Sequence, residues 1–295
     1  MNERGVGIGA RLFVALQHGL PQHLLSRRMY RLARVEWPPL KRLLISGFIR
    51  LIGIDMREAA QPDPAAYPHL NGLFTRALRP GARPLDPSPS AVLSPVDGTI
   101  SQVGAITDGR IIQAKGHQYS VADLLAGRGE GHRLFDGGSF ATLYLSPRDY
   151  HRVHMPLAGS LAEMRHVAGR LFSVNGITAA LVPGLFARNE RVVCLFDSAA
   201  GPMAIVLVGA IFVGGIETVW AGEVTPAQTG ARRRDRQGSS PVSLERGEEM
   251  GRFNLGSTVV LLFPPGAVTW EPTQAPGRPV RLGERIGTCL AGSCG

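Results

Sequence analysis

Residues 191–211 read RVVCLFDSAAGPMAIVLVGAI. Two apolar runs, Arg191–Phe196 and Met203–Ile211, flank a stretch of small and turn-forming residues. Runs this short, rich in Val, Ile, Leu and Phe and bounded by turn signals, read as strands. Carried on to Ile216, the second run stays apolar. It still falls short of the ~20 residues that a membrane-spanning helix needs. It also carries glycine, so a buried strand pair is the better reading.

The same pattern recurs from Val92 onward, at Thr99–Ile106, Arg110–Gln113, Phe140–Leu145 and Thr258–Phe263. Only Val121–Leu125 and Ile177–Leu181 read as short helices there. The 295-residue chain holds 37 glycines and 22 prolines, which predicts many turns between short elements. With 44% apolar and 19% charged residues it can offset its ordering entropy, which excludes disorder for most of its length. Residues 92–295 are therefore expected to form the main domain of an α+β protein, a β-rich body of barrel-like or sandwich-like form. Ala231–Ser240 reads as an exposed charged loop.

Upstream the character changes. Residues 61–91 carry seven prolines and read as a linker with a helical insert around His69–Arg76. Residues 1–60 read as helical and basic. The first 57 residues hold ten Lys and Arg against three Asp and Glu, most of the net charge of +9. Such a balance points to nucleic acid or to an anionic membrane surface. Here Leu, Ile and Phe are interleaved with the arginines, which favours the membrane over nucleic acid. Leu40–Ile54 predicts an amphipathic helix with Arg42, Ser46 and Arg50 on one stripe. Leu40, Leu43, Leu44, Phe48, Leu51 and Ile52 cover the other side, which suits either a bilayer interface or packing on the main domain; the local charge favours the bilayer. Leu12–Ser26 is apolar but broken by His18, Pro21 and His23, and no small-residue cleavage site follows it. Cys194, Cys289 and Cys294 give no disulfide framework and are expected to be free thiols.

Three short segments hold residues able to do chemistry. SPVDGT at 94–99 contains Asp97-Gly98, a hairpin-turn signal that is also compatible with a functional carboxylate. RDYHRVHMP at 148–156 places His151 and His154 three apart, a spacing that lets two side chains meet on a turn or helix but not on a straight strand. They are either ordinary packed histidines or proton shuttles. A metal site needs a third ligand, and His117, His132 and His166 offer no ligand spacing, so no metal is expected. RGEEMGRFNLGST at 246–258 sets Ser257 between Gly256 and an apolar strand. That serine either begins the strand or attacks the carbonyl before it, which a glycine leaves unshielded.

Taken together, the three segments resemble bacterial phosphatidylserine decarboxylases. SPVDGT, DYHRVHMP at 149–156 and LGST at 255–258 carry the resemblance. FSVN at 172–175, NERVV at 189–193, VGGI at 213–216 and RGEEMGRF at 246–253 support it, VGGI standing where the family has VGSI. The resemblance implies a self-processing proenzyme that cuts itself between Gly256 and Ser257. It implies that Asp97, His154 and Ser257 form the charge relay for that cut. Ser257 would become a covalent pyruvoyl group, the pyruvate cofactor, which holds the substrate amine as a Schiff base. His151 would serve decarboxylation, as proton donor or by positioning substrate. The expected reaction converts phosphatidylserine in the bilayer to phosphatidylethanolamine. The expected assembly is a heterodimer of the two cleavage fragments, with a higher homo-oligomer left open. The expected location is peripheral, on the cytoplasmic face of the cell membrane. A plain serine hydrolase is the rival reading, and the absence of a GxSxG elbow around Ser257 speaks against it.

Overall fold

The structure, a computed structural model, describes residues 7–114, 116–127, 131–212, 215–225, 241–254 and 257–290. The Ala231–Ser240 loop, Val213, Gly214, Leu255, Gly256 and Cys294 lie outside the described residues.

The strands, in chain order, are β1 (Ala91–Leu93), β2 (Gly98–Ala105), β3 (Arg110–Ala114), β4 (His117–Ser120), β5 (Ser139–Leu145), β6 (Arg152–His154), β7 (Gly159–Val167), β8 (Arg191–Ser198) and β9 (Gly201–Val208). They continue with β10 (Ile216–Thr218), β11 (Gly222–Glu223), β12 (Ser243–Leu244), β13 (Glu249–Phe253), β14 (Ser257–Phe263), β15 (Val268–Trp270), β16 (Pro279–Val280) and β17 (Arg285–Cys289). Eight of them form one antiparallel sheet in the order β12-β7-β8-β9-β14-β5-β2-β16. The strand pair read from 191–211 is the β8–β9 hairpin, in register from Arg191↔Val208 to Ser198↔Gly201.

Alternation explains how both faces of this sheet are covered. Val192, Cys194, Phe196, Ile205, Leu207, Val259 and Leu261 point into one core. They meet Val92, Val153, Phe253 and Ile286 from two smaller sheets, β1-β17-β15 and β11-β10-β13-β6. Val193, Val206, Val208, Val260 and Leu262 point the other way, against Val121, Leu124, Ala179 and Leu185 on short helices. The architecture is α+β and sandwich-like on the first face. The main sheet is open, with β12 and β16 at its edges, and does not close into a barrel. At its centre β14 is buried at all seven positions.

Two of the supporting motifs are held together by one side chain. Asn189 is fully buried, accepts from the Phe172 N–H at 3.1 Å and donates to the Phe172 and Gly209 carbonyls at 2.9 Å each. It thereby ties NERVV to FSVN.

Three helices precede the sheets: α1 (Ile8–Gly19), α2 (Gln22–Leu32) and α3 (Pro38–Ile52). Pro21 separates the first two. Pro38 and Pro39 start α3, where a missing N–H costs nothing, and Gly53 ends it at φ +74°. The expected Leu40–Ile54 helix is thus shifted two residues toward the N-terminus. Buried glutamines moor this region: Gln17 Oε1 accepts from Ser173 N–H at 2.8 Å and Gln22 Oε1 from Leu171 N–H at 2.9 Å. Among the described residues no helix is long and apolar enough to cross a membrane. A further short helix, α4 (Leu70–Phe74), falls within the expected insert and buries Leu73 and Phe74. Cys194 is free and buried, whereas Cys289 is disulfide-bonded, which corrects the expectation of three free thiols.

Candidate active site

Strand register brings the three segments together. Thr99 on β2 lies opposite Tyr144 on β5, which lies opposite Thr258 on β14. Two inter-strand spacings of ~4.8 Å put the Asp97 and Ser257 ends of these strands ~10 Å apart along one edge. The His154 N–H donates to the Pro95 carbonyl at 2.9 Å, and the Phe253 N–H donates to the His151 carbonyl at 3.0 Å. Each segment is therefore hydrogen-bonded to, or in register with, another.

Asp97-Gly98 is not a hairpin turn. Gly98 begins β2, and a Cβ there would lie 2.4 Å from the Tyr144 carbonyl oxygen. Glycine is required for close approach of two strands, and the turn expectation is corrected accordingly.

His151 is fully buried beneath Phe74, with ring centroids 3.9 Å apart. Its Nδ1 lies 2.8 Å from the Asp149 carbonyl. A carbonyl only accepts, so the proton sits on Nδ1 and Nε2 presents a lone pair. Nε2 is buried without a partner. Burial pushes the pKa down to about 3, with the positive charge of Arg76 acting in the same direction. The ring is therefore neutral near pH 7.

His154 has both nitrogens engaged. Nδ1–H donates to the Gly247 carbonyl at 2.8 Å, and the Tyr150 hydroxyl donates to Nε2 at 3.2 Å. Burial lowers its pKa and raises that of Tyr150 to about 12. Gly247 sits at φ +82°, and a Cβ there would lie 2.4 Å from Leu85 Cδ1, so no other residue presents this carbonyl without strain. Asp97 accepts from Arg83 through two donors, Nε at 2.8 Å and Nη2 at 2.6 Å, and from the Leu282 N–H at 2.9 Å. Arg83 also reaches Glu58 at 2.7 Å. Ser257 is buried at the head of β14, and its Oγ has no hydrogen-bond partner. Among the described residues, then, Asp97, His154 and Ser257 share a neighbourhood, and no hydrogen bond joins one to another. Gly256, the other half of the expected cleavage site, lies outside the described residues.

A few other polar atoms near the site lack partners. Asn71 on α4 donates to Asn254 Oδ1 at 3.1 Å, which leaves Asn254 Nδ2 and Asn71 Oδ1 without partners. Ser146 Oγ and Thr258 Oγ1 have none either. Buried polar groups are nearly always paired, so these atoms are the ones free to meet another group. Among the described residues no cluster of three His, Cys, Asp or Glu is placed to hold a metal ion.

Sequence reasoning passed over Arg83, Arg76, Asn71 and Phe74, all within the proline-rich segment, and over Tyr150 and Gly247. The last two stand inside quoted motifs, so their positions were visible though their roles were not. The first four carried no signal beyond the helical insert.

The chain as a whole is similar to proteins of one family. A family model described as phosphatidylserine decarboxylase matches residues 70–288, which spans every segment above, and a model described as PSD matches residues 12–51. The chain is 56% identical to a protein of Bordetella avium (strain 197N) over 281 residues, 95% of this chain and 96% of that one. It is 57% identical to one of Azotobacter vinelandii (strain DJ / ATCC BAA-1303), covering 94% and 98%, and 55% identical to one of Marinobacter nauticus, covering 94% and 97%. Each is named phosphatidylserine decarboxylase proenzyme. With likeness running through the helices as well as the site, this chain belongs to the phosphatidylserine decarboxylase family.

Proposed function

We propose that the chain is a proenzyme that cuts itself between Gly256 and Ser257 and then decarboxylates phosphatidylserine to phosphatidylethanolamine. The observation that carries this reading is the Ser257 hydroxyl, buried and unpartnered at the head of the central strand. This hydroxyl directly follows the expected cleavage bond, and a buried hydroxyl is usually paired.

In the cut, a histidine lone pair takes the Ser257 Oγ proton and Oγ bonds to the Gly256 carbonyl carbon. The Gly256–Ser257 C–N bond breaks, so an ester replaces the amide. Loss of the Ser257 α-proton then breaks the Cβ–O bond, and Gly256 leaves as a carboxylate. Water completes the conversion, releasing ammonia and leaving the pyruvoyl group. We assign the base to His154, whose Nε2 lone pair is already exposed to a hydroxyl, that of Tyr150. For Asp97 to stabilise the imidazolium, His154 Nδ1–H must turn from Gly247 to Asp97, and Asp97 must be shared with Arg83. The unpartnered atoms around Ser257 fit a small carbonyl group at that position. A pyruvoyl group supplies a ketone that binds the substrate amine and accepts the electrons left by departing carbon dioxide.

The resting tautomer of His151 makes it an acceptor first. Its neutral Nε2 orients the substrate's ammonium or takes a proton, which it later returns to the α-carbon. After the cut, residues 1–256 and 257–295 stay together because β14 remains paired on both sides, to β5 and to β9.

The membrane-facing part of the reading rests on α1 to α3. Ile8, Leu12, Leu16, Trp37, Leu43 and Leu51 are each more than 60% exposed, beside exposed Arg27, Arg28, Arg31, Arg42 and Arg50. Apolar side chains entering the interface, with arginines on anionic headgroups, would hold the protein peripherally on the cytoplasmic face of the cell membrane.

Intact mass spectrometry of the purified protein tests the proposal. The expected result is two pieces, the smaller of 39 residues from position 257 to Gly295 and blocked by a borohydride-reducible carbonyl. A single uncut chain would favour the hydrolase reading.

A further inference from the structure

Arg76 follows α4 and is 5% exposed. Its one hydrogen bond runs from Nη2 to the Arg148 carbonyl at 3.3 Å, while Nε and Nη1 have no partner. Among the described residues no carboxylate lies within 4.0 Å of it. A guanidinium keeps its charge in a protein, so this is a buried cation without a counter-ion. Arg191 provides the contrast. It is equally buried, yet its guanidinium donates to the carbonyls of Leu124, Ala187, Asn189 and Asp123. The fold saturates a buried arginine where its role is structural, and at Arg76 it does not.

The position of Arg76 is equally specific. Phe74 covers His151, Asn71 bonds Asn254, and Arg76 itself bonds the loop that leads to His151. Arg152 Nε anchors the segment through the Thr75 carbonyl at 3.0 Å. The short stretch 71–76 is thus one wall of the site, packed on His151 and on the loop that leads to it, with Arg76 Nε and Nη1 buried and open.

We propose that Arg76 is the binding residue for the phosphodiester of the lipid substrate, holding its oxygens through Nε and Nη1. This rests on the reading that Ser257 and His151 mark the site of decarboxylation. The substrate brings two anions, a phosphodiester and a carboxylate. A cation bound to the carboxylate would stabilise the ground state and lose its partner as carbon dioxide leaves, which slows the reaction. The phosphodiester keeps its charge from substrate to product, so binding it costs nothing in the chemical step. Arginine's planar fork also matches phosphate oxygens.

The test crosses enzyme with substrate. Wild type, Arg76→Gln and Arg76→Lys are assayed with phosphatidylserine and with its neutral methyl phosphotriester. Arg76→Gln is expected to cut itself, because cleavage involves no phosphate, and to show KM for phosphatidylserine raised about tenfold or more with kcat little changed. Wild type should lose a similar factor on the triester, whereas Arg76→Gln should not distinguish the two substrates. Arg76→Lys should recover part of the loss. Inhibition by phosphatidylethanolamine, which retains the phosphodiester, should weaken in parallel. Wild type using the triester as well as the diester would overturn the proposal, even if Arg76→Gln failed to fold. So would undiminished product inhibition in Arg76→Gln, which would assign the carboxylate instead, or a loss confined to kcat. A wild-type chain that never cuts would count against the pyruvoyl reading and not against Arg76.

Discussion

His151 should make the fold sensitive to acid by an amount that can be calculated. Its pKa is about 3 in the folded protein, lowered by burial and by Arg76, against about 6.5 in an unfolded chain. As pH falls below the unfolded value, the unfolded state binds a proton that the folded state refuses. The stabilisation is therefore complete above about pH 6.5 and is lost progressively down to about pH 3. Between about pH 7.5 and 5 the loss is about 2 kcal/mol, and the folded pKa drops out of that figure as long as it lies well below 5. Urea unfolding should be compared for His151 and His151→Gln chains at both pH values. A Ser257→Ala background keeps the chain in one piece and the transition unimolecular. Other groups that titrate in this range, His154 among them, cancel between the two proteins. The chain with His151 should lose about 2 kcal/mol more than His151→Gln on acidification. Equal losses would mean that His151 is protonated in the folded state, and the assignment of Nε2 as an open lone pair would fall with it.

Other perturbations separate the remaining roles. Ser257→Ala and His154→Ala should each give one uncut chain on a denaturing gel, whereas His151→Ala should cut and turn over poorly; an uncut His151→Ala would reverse the division of labour between the histidines. Gly247→Ala should cost on the order of 1–3 kcal/mol in urea unfolding, from its left-handed backbone and the crowding at Leu85, and should lengthen the half-time of self-cleavage because the carbonyl that orients His154 moves. Replacing Leu12 and Leu16 with Glu should weaken sedimentation with anionic vesicles at least about tenfold, with residual binding falling as salt rises; unchanged binding would remove α1 from the membrane-facing surface.

The β-sheet core was readable because its strands are short apolar runs with turn residues between them, and β8, β9 and β14 fall where those runs do. The order of strands was not readable. The antiparallel ladders that order the sheet join residues far apart in the chain, Ser257 with Leu145 and Thr258 with Val208 for example, and no local periodicity records that pairing. Asp97-Gly98 shows the same limit at a single position. The pair has the composition of a turn, but the glycine answers to Tyr144, which only the folded register brings near. At the site the histidines and the serine stood out as residue types suited to proton transfer. Their partners did not, because a backbone carbonyl at Gly247 or Asp149 has no signature in sequence. The proline-rich segment hid the most. Arg76 and Arg83 look like any two of many arginines until burial makes one the partner of Asp97 and leaves the other without an anion.

That difference between two arginines bears on how one pocket can run two reactions. Self-cleavage needs a base beside a hydroxyl and a carboxylate to steady the charge that forms. Decarboxylation needs surroundings in which a carboxylate gains little from staying ionised. A free Asp97 would serve the first and, as a fixed anion, would hinder an anionic substrate in the second. Arg83 resolves the conflict by holding Asp97 in a two-point ion pair, itself shared with Glu58, so that the carboxylate adds little field to the pocket at rest. Both histidines are kept neutral by burial, so neither offers a charge to the departing carboxylate. The uncompensated charge that remains in this wall is Arg76. On the proposal that Arg76 holds the phosphodiester, this lone cation would attract the headgroup and leave the carboxylate to apolar surroundings such as those of Phe74 and the neutral imidazole it covers. On that proposal the rate would come from what the pocket withholds from the carboxylate as much as from what it offers to the amine.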